Sequence, residues 1–184
     1  AAKQKPFGTQ IKIGLLGDSA LQFLNIALKG SLIIKGKNPV IFEGDIGQVQ
    51  QQLAFADSDL AKFKPQFTIV FESRAALEKR FFASAEATTF YQKELHRVET
   101  YAHAAEKLGT QLIYFNHWEQ LDTVFGHFAL QEPSSLAFQL KKLNAGLLDL
   151  AAQESALSLL DFNALCSAVG SLAVTDRNIA VQTD

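Results

Sequence analysis

Five short apolar runs, each closed by a polar or glycine-containing turn and each separated from the next by a stretch of helical periodicity, constrain this chain most. Residues 11–16 form the first, partly β-branched and ending at Gly17. Such a run reads as a strand buried on both faces of a parallel sheet. Leu21, Leu24, Leu28 and Leu32 then recur at helical spacing until Gly36. Residues 39–42 predict a second strand ending in Glu43-Gly44-Asp45, residues 46–55 a helix, and residues 57–65 a loop. The run 67–71 is the clearest strand pattern and is followed by Glu72-Ser73-Arg74. A helical region covers 77–108, broken near Ser84 and capped by Gly109. Residues 112–115 give a fourth strand ending in Asn116-His117. Pro133-Ser134-Ser135 offers a helix start, and Leu136, Leu140, Leu143, Leu147 and Leu150 mark the stripe that this helix buries. Residues 157–160 give a fifth strand ending at Asp161; no covering helix is evident after it, and 171–184 reads as a loosely patterned tail.

Alternating strands and helices predict a three-layer α/β fold, a five-stranded parallel sheet with right-handed crossovers in the flavodoxin-like order 2-1-3-4-5. That order brings Asp18-Ser19, Glu43-Gly44, Glu72-Ser73, Asn116-His117 and Asp161 to one rim, where ligands collect in doubly wound sheets. At 184 residues the chain suits one domain with its core over about 11–165. With 17 basic against 19 acidic residues and no charged block, nucleic acid and anionic membranes are not expected partners. The lone Cys166 reads as a small buried apolar residue and fits a reducing compartment. No stretch approaches the roughly 20 apolar residues of a membrane span, and residues 1–10 lack a secretory apolar segment. A cytoplasmic protein is expected. Because the sequence contains no Met, the natural gene is expected to extend further.

Gly17-Asp18-Ser19 stands at the first strand-to-helix turn and admits two readings. Asp and Ser are favoured helix caps, and the same turn offers helix N–H groups to an anion and a serine to chemistry. The tripeptide resembles the first conserved block of SGNH hydrolases, whose serine is the nucleophile of esterases and acetyl-transfer relatives. A longer resemblance runs through residues 15–19 with Gln22-Phe23-Leu24, Phe42-Glu43, Asp57-Ser58-Asp59-Leu60 and Phe63-Lys64-Pro65. It continues through Tyr114-Phe115-Asn116, Val124-Phe125-Gly126, Ser134-Ser135 and residues 139–144. Across about 11–151 the chain is similar to the N-terminal SGNH-like domain of FkbH-like proteins, within haloacid-dehalogenase subfamily IIIC. The resemblance implies a module that precedes a phosphatase-type domain, which draws a glyceryl group from a phosphorylated three-carbon acid and loads it on a carrier protein. It implies no cofactor for this domain, Mg being expected only in that phosphatase domain. The only Asp-x-Asp here, Asp57-Ser58-Asp59, has Ala61 where the phosphatase motif has Thr or Val, and it reads as a solvated turn.

Under the SGNH resemblance Ser19 is the candidate nucleophile, with its own N–H and Gly44 as oxyanion donors and the Asn116 amide as a side-chain donor. Gly17, Asp18, Gly44, Ser73 and Asn116 are the candidate substrate-binding positions. Two departures stand out. Glu72-Ser73-Arg74 replaces the family's Gly-x-Asn-Asp after the third strand, and no His follows His127 to supply the Asp-x-x-His base. His117, at the fourth strand's end, is the substitute candidate. Three readings stay open: a recognition module for an acyl or glyceryl carrier or substrate, a serine esterase or acyltransferase, and a phosphate or nucleotide binder of flavodoxin type. His96, Glu99 and His103 share a helix face, but the two histidines lie two turns apart, roughly 10 Å of rise, so the face reads as solvated and no metal site is expected. Arg74, Lys79 and Arg80 could meet an anion or simply begin an exposed helix. Phe81, Phe82, Phe90 and Tyr91 read as core, with any exposed part marking a partner surface.

Overall fold

The computed structural model describes residues 8–120, 122 and 124–170, and places five strands in one parallel sheet of order β2-β1-β3-β4-β5. The strands are β1 (Thr9–Gly17), β2 (Lys37–Glu43), β3 (Phe67–Phe71), β4 (Gln111–Phe115) and β5 (Leu157–Leu160). Between them run α1 (Gln22–Ile34), α2 (Val49–Ala54), α3 (Asp59–Phe63), α4 (Arg74–Ala83), α5 (Phe90–Leu108) and α6 (Leu136–Gln153), and α7 (Phe162–Val169) follows β5. The fold is the expected three-layer α/β arrangement.

Side-chain alternation along the strands separates two cores. Leu16, Val70, Leu112 and Tyr114 point toward α2–α6 and join Leu53, Leu60, Leu77, Leu140, Leu143 and Leu147 in the larger core. Ile13, Leu15 and Ile69 point the other way and pack with Leu24, Leu28 and Leu32 of α1. Phe162 of α7 meets Phe71 and Phe115 edge-on at centroid distances of 5.9 and 6.0 Å, which places α7 on the α1 side. Each fully buried leucine contributes about 2 kcal/mol of transfer free energy, so both faces of the sheet are held chiefly by apolar burial. Helix α1 is apolar on its outer side as well: Phe23 and Ile34 are each 88% exposed, and Ile26 and Ile33 stand beside them.

Four local expectations are corrected. The segment 57–65 is not a plain loop but contains α3, because Ser58 accepts the Ala61 N–H at 3.1 Å as an N-cap; Asp57-Ser58-Asp59 is a helix start. A covering helix does follow the fifth strand, since Asp161 caps α7 by accepting the Ala164 N–H at 3.0 Å. The helix expected over 46–55 is confined to Val49–Ala54. Asp18 and Ser19 do not cap α1, whose N-cap is Leu21 without a side-chain acceptor. By contrast the break at Ser84, the left-handed Gly109 cap at φ 69°, the Ser135 cap of α6 and the buried Cys166 match expectation. The tail 171–184 lies outside the described residues. No described helix is long and apolar enough to cross a membrane.

Candidate functional site

The carboxyl ends of β1, β3, β4 and β5 are joined by side chains that reach from one strand end to the next. Asp18 accepts the Ser73 N–H with both carboxylate oxygens, at 2.8 and 3.0 Å, and so places a negative charge at the start of α4. Ser73 itself caps α4 by accepting the Ala76 N–H at 3.2 Å. Gly17 is required here for space: a Cβ would stand 2.7 Å from the Phe71 carbonyl oxygen of the neighbouring strand. Ser19 follows, half-buried at the rim.

Two of the three proposed donors, Gly44 and Asn116, are placed near this rim but are engaged elsewhere. The Gly44 N–H donates to the Leu15 carbonyl at 2.9 Å, extending the β1–β2 ladder. Asn116 donates its amide to Asp161 at 2.8 Å and accepts the Asn163 N–H at 2.9 Å, so both ends of the side chain serve the β4–β5–α7 corner. The same contacts, the Asn116 amide first and the Ala164 N–H second, hold the exposed Asp161 carboxyl below the usual carboxylate range.

His117 sits in a closed environment. Its backbone exchanges two hydrogen bonds with the Asn144 side chain, N–H to Oδ1 at 2.9 Å and Asn144 Nδ2 to the carbonyl at 2.7 Å. The residue is 5% exposed, and Nε2 is buried with no hydrogen-bond partner. It is therefore not hydrogen-bonded to Ser19 through that nitrogen. Burial pushes the imidazole pKa down to about 4, with Glu72 opposing that shift and Arg80, Arg97 and Arg74 adding to it, so the ring is neutral at physiological pH.

Glu72, one residue past β3, anchors the most extensive polar cluster in the described chain, and sequence reasoning did not identify it as one. Its carboxylate accepts from Tyr114 Oη at 2.8 Å, from both terminal nitrogens of Arg97, and from Arg80 at 3.4 Å. Glu94 of α5 completes the cluster, accepting from Arg80 at 3.0 Å and from Arg97. Burial raises the Glu72 pKa, but the charge and hydrogen bonds of Arg97, with Arg80 and Tyr114, outweigh it and hold the carboxyl below its ordinary range. Burial and the Glu72 charge raise the Tyr114 phenol well above its usual value. Two charges face two charges, so the cluster is internally neutral and closes the α4–α5 side beneath the rim. The available signal was an acidic residue closing the most apolar strand, with Arg80 on the next helix and Glu94 and Arg97 three residues apart on the one after.

The cationic reading of Arg74, Lys79 and Arg80 is not supported by their placement. Arg74 bonds Glu78 at 2.6 Å and the Trp118 carbonyl at 2.9 Å, Arg80 belongs to the Glu72 cluster, and Lys79 points to solvent. Of the aromatic stretch, Phe81 and Phe90 are core and stack edge-on at 5.2 Å, whereas Phe82 is 77% exposed. Beyond β4, a cavity of about 250 Å³ opens between the loop after Trp118 and the first half of α6, with Glu119, His127, Leu130 and Lys141 in its wall.

The sequence profile described as FkbH, N-terminal domain, matches residues 12–184. A search of curated proteins finds no match. Among solved structures, the N-terminal part of the Bacteroides fragilis protein BF1531, which contains a phosphatase domain and was crystallised with Mg, superposes with a TM-score of 0.88 at 28% identity. The match covers 96% of this chain and 46% of that one, so the chain spans less than half of that structure's length. The acetyl xylan esterase Axe2 from Geobacillus stearothermophilus follows with a TM-score of 0.56 at 12% identity, over 89% of this chain and 83% of the esterase. The esterase EstA from Pseudoalteromonas gives 0.58 at 10% identity, over 90% and 85%. The esterase likenesses establish a shared SGNH-hydrolase-like fold. With the profile spanning the strands, the serine turn and the rim just described, the chain belongs to the FkbH N-terminal domain family.

Proposed function

We propose that this domain is a recognition module of an FkbH-like phosphatase and glyceryl-transfer protein, binding an acyl or glyceryl carrier or substrate at its rim beside a phosphatase-type domain, and that it does not itself hydrolyse. One observation carries the reading: the serine turn keeps its place, while two of the three donors and the candidate base that would make it a hydrolase are otherwise committed. The Gly44 N–H and the Asn116 amide are bonded within the fold, and the candidate base His117 has its Nε2 sealed. A nucleophilic serine needs a base within hydrogen-bond reach and free donors where the oxyanion develops. A fold can retain its rim as a binding surface after losing such groups. The B. fragilis protein supports the adjoining phosphatase-type domain, and the cavity beyond β4 offers a recess near the rim for a substrate arm.

The second reading, a serine esterase or acyltransferase, is favoured by one fact, that Ser19 is only half-buried at a rim shared in fold with two esterases. Incubation with a fluorescent alkylphosphonate separates the two. Under the proposal the chain stays unlabelled, and a phosphopantetheine-bearing carrier protein binds it with an affinity that a Lys141→Glu change weakens. Stoichiometric labelling abolished by Ser19→Ala establishes the esterase reading instead.

A further inference from the structure

Glu99 and His103 lie one turn apart on α5, and Glu154 follows the last residue of α6. Taken from sequence, the face carrying His96 and His103 is too stretched for chelation. The fold changes the set by bringing a carboxylate from a second helix to His103. His103 Nε2 stands 3.3 Å from Glu154 Oε1, and one ligand atom from each of Glu99, His103 and Glu154 lies within 4.8 Å of the other two. In a tetrahedral zinc centre with bonds of roughly 2.0–2.1 Å, neighbouring ligand atoms are about 3.3 Å apart. The His103–Glu154 pair is thus already at the edge length of such a polyhedron. The side chains are partly exposed, 40% for Glu99, 51% for His103 and 23% for Glu154, so small rotamer changes can bring the third ligand in.

Electrostatics point the same way. Glu99 and Glu154 place two like charges beside one histidine, an arrangement that a bound dication neutralises. His96 Nδ1 lies 3.1 Å from Glu99 Oε2, where it orients the carboxylate from outside the ligand set. One imidazole with two carboxylates suits a borderline ion, whereas Ca²⁺ requires six or more oxygens and Mg²⁺ prefers an oxygen octahedron.

We propose that Glu99, His103 and Glu154 form a zinc-class divalent cation site, completed by water, that ties α5 to the end of α6. Helix α5 leads into the start of β4 and α6 into the start of β5, so the site lies at the amino edge of the sheet, opposite the rim. Its role is to fasten two helices, independent of any chemistry at Ser19.

Calorimetric titration of the tag-free chain with zinc chloride at neutral pH tests this, with circular dichroism confirming that each variant is folded. One equivalent of zinc is expected to bind, while magnesium chloride gives no heat. His103→Ala and Glu154→Gln should each abolish the binding, His96→Ala should weaken it about tenfold as an outer partner, and His127→Ala should leave it unchanged. Absence of zinc binding, equal binding of magnesium, or zinc binding that survives both His103→Ala and Glu154→Gln overturns the site.

Discussion

Mild acid should destabilise this domain through His117 before it protonates the carboxylates. The imidazole changes from an ordinary value of 6.5 when unfolded to about 4 when folded, because burial penalises the charged ring. Above the unfolded value both states are neutral and the shift costs nothing. As the pH falls from 6.5 toward 4 the unfolded chain takes up a proton that the folded chain refuses, so stability drops across that window and levels off below it. A full shift of this size corresponds to about 3 kcal/mol, and the part lost between about pH 7 and pH 5 is about 2 kcal/mol. Glu72, whose folded pKa is also depressed, contributes stability that is complete above its ordinary value of 4.5 and is lost as the pH falls from there toward the lower folded value, so its loss comes later. Urea unfolding followed by Trp118 fluorescence should therefore show a midpoint lower by about 1 M at pH 5 than at pH 7, for a slope of about 2 kcal/mol per molar. In His117→Asn most of that difference should vanish, since nothing at the position titrates. An equal drop in wild type and variant refutes the assignment to His117.

Glu72→Gln leaves Arg97 and Arg80 facing a neutral amide under the rim and should cost about 3 kcal/mol in the same urea assay. Asp18→Asn, which removes the charge at the start of α4 but keeps an acceptor, should cost about 1 kcal/mol and leave far-UV circular dichroism unchanged. Gly17→Ala forces a Cβ to within 2.7 Å of the Phe71 carbonyl, a backbone atom with no rotamer to change, and should lower stability by about 2 kcal/mol. Leu147→Ala, by comparison, empties a fully buried site in the larger core and should cost about 3 kcal/mol, measured as a lowered thermal midpoint.

The sheet was legible because its strands are continuous apolar runs between turn residues, a pattern that depends only on neighbours along the chain. The rim followed from strand order alone. What stayed hidden depends on partners far away in sequence. Asp18 has the local chemistry of a helix cap, yet it serves the N-terminus of α4 through Ser73, 55 residues on. Nothing near His117 announces that Asn144 closes over its backbone. Glu154 reads as an unremarkable helix end until α6 is laid against α5. Asp161 was visible as a strand end, but its second use, capping α7, was missed because the helix after it carries little polar patterning.

Glu72 gives the domain an evolutionary ratchet. The SGNH resemblance calls for Gly-x-Asn-Asp after the third strand, and this chain places there a buried carboxylate shared by two half-buried arginines. Exchanging that segment for a donor loop removes the carboxylate that both arginines share and leaves Glu94 alone to face two cations, so the motif cannot be introduced by itself without a cost to the cluster. One of the arginines on α4 and α5 has to be replaced in the same step to restore the balance of charge. A designer converting the fold toward an esterase meets the same obstacle and does better to start from positions 80, 94 and 97 than from the serine.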